Sequence, residues 1–376
     1  MKTICVILGT RPEAIKLAPV VLALKRNNAY RVLVVNTEQQ KELSNQTLSF
    51  FSIKPDFRLD AMIPNQTLGG LQARMLEKLA KVYDNNQIDA TIVQGDTMTV
   101  FCAALNSFYH KIPVFHVEAG LRSYNLFEPF PEEAMRQMTS RITDLHFAPT
   151  KLAYQALLHE GIKKDSIVLT GNTVIDALDC LSSDVLKNAQ KKLETKNIKF
   201  DDKLVLITAH RRENHGERLD KILSAIKILA EQFSDHQFVL PVHPNPNVHD
   251  KVHQILGKLS NVVLTEPLDY PELVCLMKNT KLVLTDSGGI QEEAPTFGNP
   301  VLVMRYETER TEGVKAGFAK LVGADEQKII TEASSVLSKL KSETRLDGRQ
   351  NPYGDGQASL KIVEAIKNYF LKDNKK

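Results

Sequence analysis

The chain contains 376 residues, of which 43% are hydrophobic and 25% are charged, and its formal net charge is +3. This length predicts two domains, and a charge so small and so dispersed argues against a nucleic-acid partner. The apolar run within residues 1–9 is too short for a signal peptide or a membrane span. We therefore expect no membrane partner and interpret the run as a first strand.

Short apolar runs alternate with longer helix-like segments along the whole chain, which is typical of α/β proteins with parallel sheets. A polar, lysine-rich stretch over residues 186–202 interrupts the alternation and is interpreted as a solvated helix that bridges two domains. The alternation then restarts. The predicted strands are 3–8, 31–36, 89–94, 113–117, 145–148, 167–169, 203–208, 237–242, 261–264, 281–285 and 300–304.

This pattern predicts two Rossmann-like domains that face a central cleft. We place the first domain at residues 1–171 and the second at residues 172–356. An amphipathic helix over 357–371 follows a turn, and we expect the C-terminal segment 357–376 to complete the first domain.

Charged and imidazole side chains follow six of the predicted strands. Ligands of open α/β sheets bind beyond the carboxyl ends of the strands, so these positions are candidates for binding and catalysis. The groups are Arg11 with Lys16, Asp96, Glu118, His210, His243 and Asp286.

A strand, a turn with two glycines and a helix start occur together at residues 281–295. Gly288 and Gly289 let a phosphate approach the backbone, and the helix start offers unpaired N–H groups. Glu292 and Glu293 lie about 100° apart around a helix, so only one of them can face a ligand. A carboxylate there is suited to a ribose diol. The alternative is a plain strand-to-helix turn with a solvated acidic helix.

Acidic residues of the first half converge near two strand ends. Asp96 and Glu118 follow strands, and Glu132 and Glu133 lie close by in the chain. Carboxylates that share one cleft hold different protonation states, which acid/base catalysis requires. The alternative is structural, with Asp96 capping the next helix and the glutamate pair forming its own capping interaction.

His210 stands beside Arg211 and Arg212, a cluster suited to a departing phosphate, although a hydrogen-bonded structural histidine is the alternative. The histidines lack zinc-protease spacing, so we predict no metal. No Gly-x-Gly-x-x-Gly follows a strand, so we predict no nicotinamide and no other cofactor. The four scattered cysteines predict buried free thiols in a reducing cytoplasm, at Cys5, Cys102, Cys180 and Cys275.

At this point the chain resembles the non-hydrolysing bacterial UDP-N-acetylglucosamine 2-epimerases. The resemblance covers nearly the whole chain and rests on residues 9–16, 95–97, 116–122, 131–134, 170–177, 208–214, the Ser287 turn and 351–354. It implies a glycosyltransferase-B-like fold, a cytoplasmic homodimer and the interconversion of UDP-GlcNAc and UDP-ManNAc for bacterial surface polysaccharides. In this family the second domain binds UDP.

The resemblance also implies roles for single residues. Asp96, Glu118 and Glu132 match the catalytic carboxylates, without a division into acid and base, and His210 matches the group that assists departure of UDP. The remaining substrate contacts that it implies are Arg11, Lys16, Arg310, the phosphate cradle Ser287, Gly288 and Gly289, the ribose ligand Glu293, and the uracil wall with Leu268 and Leu273.

The chain departs from the family at Gln40, Lys41 and Gln94, where histidine, arginine and histidine are usual. By resemblance these positions lie around a second UDP-GlcNAc site that activates many members. Since lysine and arginine are not equivalent donors, we hypothesise weakened activation or a sugar with different substituents.

Three other functions compete with this one. A hydrolysing epimerase releases N-acetylmannosamine and UDP because water captures the glycal. A glycosyltransferase of the same fold needs an acceptor and leaves C2 untouched. A UDP-sugar-binding regulator has lost catalysis, against which the presence of the three carboxylates and His210 argues.

Overall fold

A computed structural model describes residues 1–243, 245–346 and 348–373. The chain forms two compact units. The first contains Met1–Cys180 and the C-terminal segment from Tyr353, and the second contains Leu181–Pro352. Each unit is an α/β body with one parallel sheet, so the predicted fold class is confirmed.

The first unit is built on a seven-stranded parallel sheet in the order β3-β2-β1-β4-β5-β6-β7. The interior strand β1 is apolar on both faces, since Ile4 to Leu8 are all fully buried, as expected for a parallel strand covered by helices on each side. The strands are β1 Lys2–Leu8, β2 Tyr30–Asn36, β3 Phe57–Arg58, β4 Ala90–Gln94, β5 Val114–Val117, β6 Leu145–Ala148 and β7 Ile167–Leu169.

Several helices of the first unit begin at a polar capping side chain, namely Thr10, Thr67, Thr150 and Asn172. The first helix starts with a capping box in which Thr10 accepts from the backbone of Glu13 and Glu13 accepts from the backbone of Thr10. The helices are α1 Arg11–Lys25, α2 Lys41–Phe50, α3 Leu68–Asp84, α4 Met98–Tyr109, α5 Glu132–Arg141, α6 Lys151–His159 and α7 Thr173–Asp179.

The second unit repeats this plan with a six-stranded parallel sheet in the order β10-β9-β8-β11-β12-β13. Its core combines the buried faces of the central strands with the apolar faces of the helices, for example Ile207 with Ile226 and Ile329. The strands are β8 Leu204–Thr208, β9 Gln237–Pro241, β10 Val262–Thr265, β11 Leu282–Thr285, β12 Val301–Val303 and β13 Ala319–Leu321.

The helices of the second unit, α8 to α15, alternate with these strands, and the last helix, α16, belongs to the first unit. The bounds are α8 Ser183–Glu194, α9 Glu217–Gln232, α10 Pro246–Leu256, α11 Tyr270–Asn279, α12 Gly288–Glu293, α13 Thr311–Lys315, α14 Glu326–Leu337, α15 Lys341–Thr344 and α16 Ala358–Asp373.

All eleven predicted strands are present, each within one residue of the predicted ends. The sequence missed β3 and β13, which have only two and three residues and include the exposed side chains Arg58 and Lys320. Neither of these two strands is a continuous apolar run, so hydrophobic periodicity does not reveal them.

The division between the units falls after Cys180 and before Tyr353, whereas the sequence placed it after residue 171 and before residue 357. The reason is α7, which packs against α1 and α16. Its Asp176 accepts hydrogen bonds from the backbone of Ala358 at 3.2 Å and of Ser359 at 2.7 Å. These contacts tie both segments to the first unit.

The lysine-rich stretch also differs from its interpretation as a bridging helix. It contains α8, which packs on α11 within the second unit and buries Ala189 and Leu193. An amphipathic helix with one apolar stripe is stabilised by such packing rather than by solvent.

Three of the four cysteines are buried, while Cys180 is exposed, so the prediction of four buried thiols is wrong at this position. Cys180 caps the C-terminal end of α7, where the chain leaves the first unit. Within the described ranges, no helix combines the length and the apolar character that crossing a bilayer requires.

Gly9, at the end of β1, is a position where only glycine fits. A Cβ atom there would lie 2.0 Å from Oγ1 of Thr37 and 2.6 Å from Oγ1 of Thr99, and these hydroxyls are hydrogen-bonded to each other at 2.7 Å. We expect Gly9→Ala to lower the free energy of unfolding by about 1–3 kcal/mol, measured by urea denaturation.

The matched control is Gly69→Ala in α3, where a Cβ would have no neighbour within 4 Å. Alanine there removes backbone entropy from the unfolded chain, so we expect no loss and a gain of up to about 1 kcal/mol. If Gly9→Ala and the parent chain had the same urea midpoint of unfolding, the two threonines would move apart without a loss of stability.

Candidate active site

In the first unit, the carboxyl ends of β1, β4 and β5 lie side by side because these strands are neighbours in the sheet. The loops after β1 and β4 are joined by Glu13, whose carboxylate accepts from the backbone N–H groups of Gly9 at 2.6 Å and Thr10 at 2.9 Å and from the Thr97 hydroxyl. Burial raises the pKa of Glu13, although these hydrogen bonds oppose the rise. The joined loops carry Arg11 and Asp96.

Glu118 follows β5 directly and forms a buried ion pair with a residue of α1. Nζ of Lys16 lies 2.7 Å from Oε2 of Glu118, and both side chains are less than a tenth exposed. The amide Nε2 of Gln94, the last residue of β4, donates to the same oxygen. Glu118 has a φ of 63°, in the left-handed region that residues other than glycine rarely occupy. Such backbone strain occurs preferentially at functional sites.

Asp96 is paired with a cation from α5. An Nη atom of Arg136 lies 2.5 Å from Oδ2 of Asp96, and the other lies 3.2 Å from Oε2 of Glu133. His116 holds Gly95, the residue before Asp96, because its Nε2 lies 2.7 Å from the carbonyl oxygen of Gly95. Burial lowers the pKa of His116 to about 3, so the ring is neutral and its Nε2–H donates to that carbonyl.

The two glutamates at the start of α5 differ in role. Glu133 is completely buried and accepts from the backbone of Ser123 at 3.0 Å and of Tyr124 at 3.2 Å. Burial opposes ionisation of Glu133, but hydrogen bonds from Gln137 and Ser123 and the charge of Arg136 hold its pKa below the usual value. Glu133 is therefore an anchor for the loop before α5, whereas the capping interaction that the sequence allowed for the glutamate pair is not observed, because α5 has no side-chain cap.

Glu132 is half-buried, and among the described residues its carboxylate has neither an ion pair nor a hydrogen bond. It lies one turn before Arg136 on α5, so α5 brings it to the side of the sheet where Asp96 lies. The capping role that the sequence allowed for Asp96 is not observed, because α4 has no side-chain cap.

The segment after β2 packs against the same edge of the sheet. Oε1 of Gln40 accepts from the backbone of Arg11 at 3.0 Å, and Oε1 of Gln39 accepts from the backbone of Thr99 at 3.2 Å. Lys41 extends to Asp60 at 2.8 Å on the surface. The hypothesis of weakened activation that rests on Gln40 and Lys41 remains a prediction.

In the second unit, Asp286 is a fully buried carboxylate at the end of β11 that organises the end of β8. It accepts from the backbone N–H groups of His210 and Arg211, each at 2.9 Å, and from Nδ2 of Asn214 at 3.1 Å. Nδ1 of His210 lies 3.3 Å from the same carboxylate. This contact directs the other ring nitrogen, Nε2, away from Asp286.

Burial lowers the pKa of His210; Asp286 opposes this shift, whereas Arg211 and His243 reinforce it. The rings of His210 and His243 are nearly parallel, at 12°, with centroids 6.1 Å apart. His243, one of the strand-end candidates from the sequence, is thus a neighbour of the predicted site residue His210. The side chain of Arg212, named with this cluster, lies outside the described part of the chain.

The Gly288 turn brings Arg310 next to the backbone. A Cβ on Gly288 would lie 2.9 Å from Cζ of Arg310, so the guanidinium lies directly over this glycine. Arg310 is held there by Glu292 at 3.0 Å and by Glu309 at 3.2 Å. Arg310 and Arg305 hold the pKa of Glu309 far below its usual range, despite its burial. Of the two candidate glutamates on α12, Glu292 therefore binds Arg310.

The remaining predicted contacts of the second unit are Ser287, Gly289, Glu293, Leu268 and Leu273. Ser287 precedes α12, and its N–H donates to Oγ1 of Thr285 at 2.9 Å. Glu293 is buried on α12, Leu268 is buried after β10, and Leu273 is half-buried on α11. In the described ranges, no cluster of three or more histidine, cysteine or acidic side chains is arranged to hold a metal ion.

Comparison with known proteins identifies the family. The family model described as UDP-N-acetylglucosamine 2-epimerase matches residues 22–367. The chain is 45% identical to the UDP-N-acetylglucosamine 2-epimerases of Neisseria meningitidis and Escherichia coli K12, over 96% of its length and 98% and 97% of theirs. The chain belongs to the UDP-N-acetylglucosamine 2-epimerase family.

Solved structures of this epimerase family agree. The crystal structure of the Neisseria meningitidis UDP-GlcNAc 2-epimerase bound to UDP-GlcNAc is similar with a TM-score of 0.92, 44% identity and coverage of 98% of this chain and 100% of that one. The structure of a putative UDP-N-acetylglucosamine 2-epimerase from Listeria monocytogenes is similar with a TM-score of 0.90, 43% identity and coverage of 98% and 96%. The family resemblance stated from the sequence is thereby confirmed.

Sequence reasoning missed several residues that shape the candidate site of this epimerase family member. Asp286 was noted only as a strand-end residue, and Gln94 only as a departure from the family pattern. His116 and Arg136 were not singled out at all. Their partners lie 20 or more residues away in the chain, between 21 for His116 with Gly95 and 76 for Asp286 with His210. Local patterns carry no signal for such pairs.

Asp286→Asn tests the anchor of the candidate site in the second unit. An amide in place of the buried carboxylate presents N–H groups to donors and removes the charge that keeps the pKa of His210 from falling further. We expect unfolding free energy to fall by about 2–4 kcal/mol and the pKa of His210 to decrease, measured by urea denaturation and by NMR titration of the imidazole signals.

The control is Asp250→Asn, because Asp250 also contacts a histidine, His249 at 3.1 Å, but its side chain is 81% exposed. Stability there should change by less than about 0.5 kcal/mol. If Asp286→Asn were as mild as this control, Asp286 would not be the anchor of the His210 loop.

Proposed function

We propose that the chain interconverts UDP-GlcNAc and UDP-ManNAc as a non-hydrolysing 2-epimerase that supplies bacterial surface polysaccharide synthesis. The observation that carries the proposal is the family match over nearly the whole chain, together with the presence of Asp96, Glu118 and His210 after strand ends and of Glu132 at the start of α5. The relatives with this name include a structure bound to UDP-GlcNAc.

The chemistry explains why such an enzyme retains UDP. The proton at C2 of the sugar has no carbonyl beside it, so a carboxylate cannot remove it directly. When the C1–O bond breaks and its electron pair leaves with UDP, an oxocarbenium-like centre forms at C1 and makes the C2 proton acidic. Loss of this proton to a base in the anti sense gives a 2-acetamidoglucal.

The reverse addition completes the epimerisation. An acid returns a proton to the opposite face of C2 while the diphosphate oxygen of UDP attacks C1. No other reactant is consumed, and the product differs only in configuration. The route needs a base and an acid on the two sides of C2, as well as positive groups for the departing diphosphate.

The carboxylates of the first unit supply the acid and base. Asp96 and Glu118 each face a cation, Arg136 and Lys16. Glu132 has no ion pair or hydrogen bond among the described residues. Asp96, Glu118 and Glu132 share the roles of base and acid without a division between them, while Arg11 and Lys16 contact the substrate.

The second unit holds the nucleotide in this proposal. The turn Ser287, Gly288 and Gly289 contacts the diphosphate together with Arg310, which already lies over Gly288. Glu293 binds the ribose, and Leu268 and Leu273 line the uracil. His210 assists departure of UDP, because a diphosphate beside the ring favours the imidazolium form that burial disfavours in the free protein.

We also propose that the chain is a homodimer in the cytoplasm, as the family resemblance implies. Phe108 and Tyr109 at the end of α4 and Met138 on α5 are exposed, and such side chains suit an interface between copies. Three buried free cysteines are compatible with a reducing compartment.

The decisive experiment is incubation with UDP-GlcNAc in deuterated buffer without an acceptor, followed by proton NMR. We expect UDP-ManNAc to form and deuterium to enter C2 of both sugars, with no net release of UDP at the turnover rate. Glu132→Gln should lower the rate by at least about 10²-fold, since it removes an acid/base group. Glu128→Gln, which changes an exposed glutamate of the loop before α5, should leave the rate unchanged.

Other product patterns would reject the proposal. Release of N-acetylmannosamine and UDP at the turnover rate identifies a hydrolysing epimerase. An intact C2 proton without acceptor points to a glycosyltransferase or a binding protein.

A substitution at Gly288 tests whether the turn binds the nucleotide. Gly288→Ala places its Cβ 2.9 Å from Cζ of Arg310, which the ion pairs to Glu292 and Glu309 prevent from moving freely. We expect UDP binding, measured by calorimetry, to weaken about tenfold, or about 1.4 kcal/mol. Gly69→Ala is the control, because Gly69 lies in α3, outside the turn, and its Cβ would have no neighbour within 4 Å. If the two variants bound UDP with equal affinity, Arg310 would have no role in UDP binding.

A further inference from the structure

Gln94 contacts a carboxylate at the candidate site but has no role in the proposed function. It ends β4, is only 4% exposed, and its Nε2 donates to Oε2 of Glu118. The carboxylate can only accept, so the amide must present its nitrogen to Glu118 and its oxygen to the other side. The orientation of this amide is thus set by its partner.

The other end of the amide is unusual for a structural glutamine. Oε1 of Gln94 is buried and has no hydrogen-bond partner among the described residues. Buried amides that serve the fold normally pair both ends, because an unpaired buried carbonyl destabilises the folded state. The hydrogen bond to Glu118 is therefore the contact that accounts for a buried amide at this position.

Two donors from different elements converge on one oxygen. Lys16 approaches Oε2 of Glu118 from α1 at 2.7 Å, and Gln94 approaches it from β4. Two donors on one oxygen restrict rotation of the carboxylate and fix the direction of its other oxygen. A carboxylate that exchanges a proton with C2 requires such fixed geometry.

We infer that Gln94 is a positioning residue that fixes the catalytic carboxylate Glu118, and that as a neutral amide it does so equally at every working pH. The inference rests on the proposed epimerase function for the role of Glu118, but the contact itself does not depend on that function.

Several charged groups lie around Glu118, whereas Gln94 is a partner that carries no charge. Lys16 faces it from α1, while the nearby Asp96 is paired with Arg136 of α5. Glu13, also on α1, is turned toward Gly9 and Thr97.

The other ionisable groups on the flanking strands are two histidines and an arginine. His116 on β5 and His146 on β6 both have a pKa lowered by burial, so they stay neutral near pH 7. Arg122, beyond β5, is paired with Glu160 at 2.6 Å. None of these groups changes charge in the range where activity is measured.

The test compares two variants of similar size. Gln94→Met keeps the volume but cannot donate, so we expect kcat to fall about tenfold, KM for UDP-GlcNAc to change less than threefold, and the ratio of kcat to that of the parent chain to be constant with pH above pH 6. In Gln94→Glu the new carboxyl group can donate a hydrogen bond only while it is protonated. At lower pH it stays protonated beside Glu118, because two adjacent carboxylates do not both ionise readily. The kcat of this variant relative to Gln94→Met should therefore fall as pH rises.

A second measurement is independent of catalysis. The carboxyl carbon of Glu118, assigned by its loss in Glu118→Gln, is followed by NMR against pH in the parent chain and in Gln94→Met. Loss of a donor to the charged form should move the titration midpoint to higher pH. Gln232→Met, on the exposed surface of α9, is the control and should change neither the midpoint nor kcat.

The outcomes separate the two proposals. An unmoved midpoint in Gln94→Met overturns the positioning role, as does a parent-like kcat. The positioning role is also overturned if kcat falls equally in both variants at every pH and both variants melt at a lower temperature, because this result indicates a structural role. A moved midpoint in a parent chain that does not epimerise UDP-GlcNAc rejects the proposed function and leaves the positioning of Glu118 intact.

Discussion

A carboxylate buried at the end of a parallel strand must be given fixed hydrogen-bond donors, and this requirement determines how the candidate site is built. An uncompensated buried charge costs about 3–5 kcal/mol, a large fraction of the stability of a domain. Glu118 and Asp286 meet the requirement in different ways. Glu118 takes a lysine and an amide from two other elements, whereas Asp286 takes two backbone N–H groups and Asn214 from one loop.

The difference has consequences for what each unit can do. In the first unit the cations Lys16 and Arg136 hold carboxylates, so the groups presented at the strand ends are acids of controlled charge. In the second unit the carboxylates of Asp286 and Glu292 hold a histidine and an arginine, so the presented groups are bases and cations. The same parallel α/β plan thus yields one unit suited to proton transfer and one suited to an anion.

Much of this arrangement could be predicted from the sequence because it follows from topology. Strands such as β1 and β11 are continuous apolar runs, and polar residues after them must gather at one edge of the sheet. The pairing of these residues could not be predicted. Glu132 and Glu133 are identical in type and adjacent, and the contacts of Glu133 with Arg136, Gln137 and the backbone of the preceding loop distinguish the anchor from the candidate catalytic residue Glu132. The domain ends were displaced for the same reason, since Asp176 finds its donors in α16.

The charges around Arg310 explain why a histidine is needed beside the glycine turn. Arg310 contacts Glu292 and Glu309, and Glu309 is also contacted by Arg305, which in turn contacts Glu213. These five side chains carry two positive and three negative charges, so the cluster offers an incoming diphosphate no net attraction. The local compensation comes from the backbone N–H groups of the turn and from a proton on His210. Because burial makes that proton weakly held in the free protein, His210 becomes charged chiefly when an anion lies beside it. In the proposed reaction, the site then binds the departing diphosphate without holding a permanent excess of positive charge.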